Sequence, residues 1–85
     1  MNKKTIMMWQ TERDAAVRSY DVETFKTFYR KWLKLGMYDR PLPKDDMVIE
    51  ITMRKMMFHM SSASRDEKEE AKRWLLERGF DTQIG

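Results

Sequence analysis

The chain has 85 residues, with 17 Lys or Arg against 14 Asp or Glu, a net charge of +3 and no cysteine. A single domain of this size buries only about 60–65% of its unfolded surface, so its stability has to come from packing or from association. The absence of cysteine excludes disulfides and thiolate chemistry, and +3 is too mild a charge to indicate nucleic acid by itself.

The opening residues, MNKKTIMMWQ, join two lysines to a short apolar patch. The patch is too short for a signal-peptide core, and no apolar run in the chain is long enough to span a membrane. The expectation is a small cytoplasmic chain of bacterial or phage type. The positive excess is concentrated in residues 22–43. Lys26, Arg30, Lys31, Lys34 and Arg40 there face only Glu23 and Asp39.

The first predicted helix covers 5–19, because Ile6, Trp9, Ala16, Val17 and Tyr20 recur at helical spacing. Thr11, three residues before Asp14, is an alternative start that would turn residues 1–10 into an arm.

The second helix covers 22–35. Asp21 is a suitable N-cap, Tyr20 and Phe25 stand at the positions of a hydrophobic staple, and Gly36 is a C-terminal stop. Val22, Phe25, Phe28, Tyr29, Trp32, Leu33 and Leu35 share one arc. Lys26, Arg30, Lys31 and Lys34 lie on the other.

The third helix covers 44–60, with Pro43 suited to a first-turn position and Asp45 and Asp46 complementing its positive end. It is apolar on two sides. Ile49, Met53, Met56, Met57 and Met60 form one stripe, and Met47, Val48, Ile51 and Phe58 form another, nearly opposite. A surface helix needs only one. The helix is therefore central to its own fold or covered by a second chain. The alternation across residues 47–53 also fits a short strand, but no partner strand is visible, so the helix reading is kept.

The fourth helix covers 65–78. Ser64 and Glu67 have capping-box spacing, Ala71, Trp74, Leu75 and Leu76 form its apolar side, and Gly79 ends it with Phe80 folding back on Leu75. Residues 81–85 read as a frayed tail. The sum is one all-α domain, a compact four-helix bundle with the third helix central.

Two surfaces are candidates for function. The basic face of Lys26, Arg30, Lys31 and Lys34 sets like charges at neighbouring helical positions, at a cost of about 0.2–0.5 kcal/mol per pair. A negative partner would relieve that cost, although a solvated helix surface is the simpler reading. The second surface is the stripe of Met53, Met56, Met57 and Met60. It suits either a monomer core or a homodimer seam, since methionine adapts to varied neighbours.

Other features carry less. Arg40-Pro41-Leu42-Pro43 resembles the start of an R-x-L-P-x-x-P ligand, but Asp46 stands where the last proline would be. A rigid loop is the simpler reading. The single histidine, His59, cannot make a histidine cluster for a metal. Ser61 and Ser62 near it have no orienting acid, and no glycine-rich phosphate loop exists.

The expected function is a non-enzymatic protein-interaction or adaptor module without cofactor or metal, self-associating through the third helix. The alternative is a nucleic-acid-associated accessory protein that binds phosphates through the basic face of the second helix. An acidic protein partner would use that same face.

Overall fold

A computed structural model describes residues 2–84. The fold is all-α, with four helices: α1 (Lys3–Ser19), α2 (Val22–Lys34), α3 (Asp46–His59) and α4 (Arg65–Glu77). The described residues contain no strand, so the alternation across 47–53 is helical. The chain divides into two compact units, one up to Lys44 and one from Asp45 onward. Each pairs consecutive helices, α1 with α2 and α3 with α4.

In the first unit, α1 begins earlier than expected. The Asn2 side chain accepts the backbone N–H of Thr5 at 2.8 Å, which caps the helix. Residues 3–10 are therefore helical and not an arm, while Met1 lies outside the described residues. Thr11 is inside the helix, and its hydroxyl donates to the Met7 carbonyl. Helix α1 ends at Tyr20, which adopts a left-handed conformation with φ 51°.

Asp21 caps α2 as expected, accepting from Thr24 N at 3.1 Å. At the other end Gly36 takes φ 85°. Its N–H donates to Leu33 O, and the N–H of Met37 donates to Trp32 O at 2.9 Å. This is a Schellman stop, and it places Leu35 outside the helix, where it is exposed. Ala16, Val17, Phe25, Phe28 and Trp32 are buried.

In the second unit, Asp45 is the N-cap of α3 and accepts from Met47 N at 2.9 Å. Pro43 therefore precedes the helix and is not in its first turn. An aspartate two residues on can bond a free amide of that turn, which a proline cannot. Helix α3, the one expected at the centre, buries Ile49, Met53 and Met57, with Met60 buried at its C-cap.

Ser64 and Glu67 form the reciprocal capping box of α4. Gly79 and Phe80 close that helix onto Leu76 and Leu75 in a second Schellman stop. Ala71 and Leu75 are buried, but Leu76 is 55% exposed and does not belong to the core.

The tail is tied down. A ring nitrogen of His59 bonds the Thr82 carbonyl at 2.6 Å, and Lys55 pairs with Asp81 at 3.5 Å. Residues 81–82 are thus anchored on α3 instead of frayed, while Gly85 lies outside the described residues.

Candidate functional site

The four cations of α2 separate into different environments. Lys26 and Arg30 lie one turn apart, and Leu33 comes next on the same helical face. Lys26 pairs with Glu23 at 3.2 Å and is half-buried. Arg30 is exposed and makes no ion pair among the described residues.

Lys31 faces away from these two. Its ammonium donates to Glu12 at 2.6 Å and lies 5.4 Å from the Trp32 ring centre. The other Glu12 oxygen accepts the indole N–H of Trp32. These two bonds, from Lys31 first and Trp32 second, hold the Glu12 carboxyl below its ordinary pKa. Lys31 is thus a strut between α1 and α2. Lys34 is exposed in the last turn of α2, where a cation suits the negative helix end. Of the expected four-residue basic face, Lys31 is drawn to Glu12, and Lys26 and Arg30 are the two that line a groove.

The loop after α2 completes a site around those two. Tyr38 stacks on Tyr29 with ring centres 4.2 Å apart and planes 15° apart. The indole of Trp9 donates to the Tyr38 hydroxyl at 3.0 Å. The Tyr29 hydroxyl donates to the Arg40 carbonyl at 2.7 Å. Burial pushes the pKa of both tyrosines up, so both hydroxyls stay neutral well above pH 7.

This clamp fixes the loop at Tyr38 and Arg40, and Pro41 and Pro43 stiffen the stretch leading to Lys44. The outcome is an open groove of about 420 Å³ lined by Lys26, Arg30, Leu33, Leu42, Pro43 and Lys44. Three cations surround an aliphatic floor. Arg30 and Lys44 make no ion pair among the described residues.

Leu33, Leu42, Pro43 and Lys44 were not among the expected site residues. The available signal was the proline-bearing loop immediately after the basic helix. Leu33 was assigned to the apolar arc, although it stands seven residues after Lys26 and is only half-buried. A larger groove of about 470 Å³ runs between α1 and α2, lined in part by Ala15, Thr24, Thr27 and Phe28. Its two charges, Glu12 and Lys31, neutralise each other, so it offers little to select a charged ligand.

Three of the four methionines proposed for association are core. Met53 is 0% exposed, Met57 1% and Met60 5%, and Met56 is half-buried. Met53, Met57 and Met60 are enclosed by the fold, while Met56 keeps part of its surface. The opposite stripe is the open one at its N-terminal end, where Met47 is 49% and Val48 43% exposed.

His59 is occupied by Thr82, and no three ligand-type side chains gather to hold a metal ion among the described residues. No helix among them is long and apolar enough to cross a membrane. No protein-family model matches the chain, and neither curated proteins nor solved structures yield a match.

Proposed function

We propose that this chain is a non-enzymatic protein-binding module whose groove on α2 takes an acidic, apolar segment of a partner protein. The observation that carries this reading is the combination in one groove of Lys26, Arg30 and Lys44 with Leu33, Leu42 and Pro43. Cations steer and orient a negative partner, while the aliphatic floor rewards burial of its apolar side chains. The tyrosine clamp adds preorganisation, which lowers the entropic cost of binding.

The same cations could meet phosphates, but base stacking has no platform here. Phe25, Phe28 and Trp32 are buried, and Tyr29 is covered by Tyr38. An aliphatic floor also offers nothing to a sugar-phosphate backbone.

The test is fluorescence anisotropy with a short labelled peptide alternating glutamate and leucine, beside a labelled single-stranded oligonucleotide. The peptide should bind more tightly. Lys26→Glu/Arg30→Glu should weaken it at least about tenfold, as expected when close charge pairs are reversed. Leu42→Ser should weaken the peptide alone. Tighter binding of the oligonucleotide, with a steep loss on adding salt, would overturn the reading in favour of a phosphate-binding role.

A further inference from the structure

The groove asks for a segment that carries carboxylates beside exposed apolar side chains. One such segment is in the chain itself. Asp45 and Asp46 stand at the start of α3 and lead directly into Met47 and Val48. All four are exposed, Met47 by 49% and Val48 by 43%. These two apolar residues belong to the side of α3 that its buried methionines leave uncovered.

We propose that the occupant of the groove is a second copy of this chain, which lays Asp45, Asp46, Met47 and Val48 among Lys26, Arg30 and Lys44. The proposal rests on the groove reading above and names its partner. The charges oppose, with Asp45 and Asp46 set against Arg30 and Lys44, and Lys26 shared with its own Glu23. The apolar parts correspond as well, with Met47 and Val48 meeting Leu33, Leu42 and Pro43.

Each copy carries one groove and one segment. A two-fold pair in which each segment enters the other copy's groove uses both grooves and leaves neither segment open for further growth.

The Asp45 carboxylate already accepts the Met47 N–H, but a carboxylate has further lone pairs for a lysine or arginine. The segment brings only four residues to the groove, and contacts that small belong to the weak class of interfaces. The dimer should accordingly be weak and sensitive to salt.

Light scattering over a dilution series, at low and at high salt, reads this directly. The molar mass should climb from 10.4 kDa toward twice that value with concentration at low salt, and fall back as salt screens the pairs. Lys26→Glu/Arg30→Glu should be monomeric. So should Asp45→Asn/Asp46→Lys, in which asparagine keeps the helix cap. Circular dichroism should show unchanged helix in both, and mixing the two variants should restore the dimer mass. A monomer at every concentration that still binds the glutamate–leucine peptide overturns the second copy as occupant and leaves the groove reading standing. A monomer that binds no peptide overturns both. A dimer indifferent to both variants also overturns this inference, since association would then use another surface.

Discussion

The two helical pairs are built from different materials. The α1–α2 unit relies on aromatic rings with polar tips. Trp9 reaches Tyr38, Trp32 reaches Glu12, and Tyr29 reaches the Arg40 carbonyl. The α3–α4 unit relies on methionine, with Met53, Met57 and Met60 buried beside Ile49, Ala71 and Leu75. Its large rings stay outside that core: Phe58 and Trp74 are half-buried and Phe80 is exposed, and the guanidinium groups of Arg54 and Arg78 lie 4.9 and 4.2 Å from the Trp74 ring centre.

A hydrogen-bonded ring fixes its neighbours in direction as well as distance, whereas methionine fills whatever space is left. The contrast matches the work each unit is proposed to do. The first must hold a proline-bearing loop in one shape beside α2, and directional bonds do that. The second has only to join two helices through a short turn.

The contrast can be broken at its strongest point first. Trp32→Ala should cost the first unit about 3–5 kcal/mol, because it empties a fully buried ring site. Hydrogen exchange read amide by amide should show the loss in α1 and α2. Equal loss of protection in α3 and α4 would mean that the two units unfold together.

Glu12→Ala should cost less, about 1–3 kcal/mol, mainly because the Trp32 N–H loses its acceptor. Glu12→Gln keeps an acceptor and should recover most of that. The Lys31 pair adds little by itself, since both side chains are well exposed. The sign with pH is set by the lowered pKa of Glu12. Its contribution is complete above the ordinary value of 4.5 and disappears as pH falls through the lower folded value. Urea midpoints measured down through that range should drop for the natural chain and drop less for Glu12→Gln.

The smallest effect tests the methionine side of the comparison. Met53→Leu conserves volume and should cost under about 1.5 kcal/mol, with α3 protection nearly unchanged. A cost as large as that of Trp32→Ala would show that the methionine core is as exacting as the aromatic one.

Much of the local architecture can be read from residues a few positions apart. Asp21, Ser64 with Glu67, Gly36 and Gly79 mark helix ends, and each acts where expected. Caps and Schellman stops are satisfied within one turn, so their chemistry is complete in a short stretch of chain. Helix starts are less legible where several polar residues can cap, as at Asn2 before α1 and Asp45 before α3.

The candidate site is different in kind. Two of its cations, Lys26 and Arg30, stand out at i,i+4 spacing, but nothing local separates them from Lys31. That separation depends on Glu12, nineteen residues before Lys31, and on a loop held by two tyrosines and a tryptophan from three different segments. The third helix shows the same limit. Two apolar stripes can be read from periodicity alone, because side-chain direction repeats with the helix. Which of them closes into core and which stays open is set by what packs against it. Here Met53 and Met57 are covered while Met47 and Val48 remain exposed, a choice that only packing at long range can make.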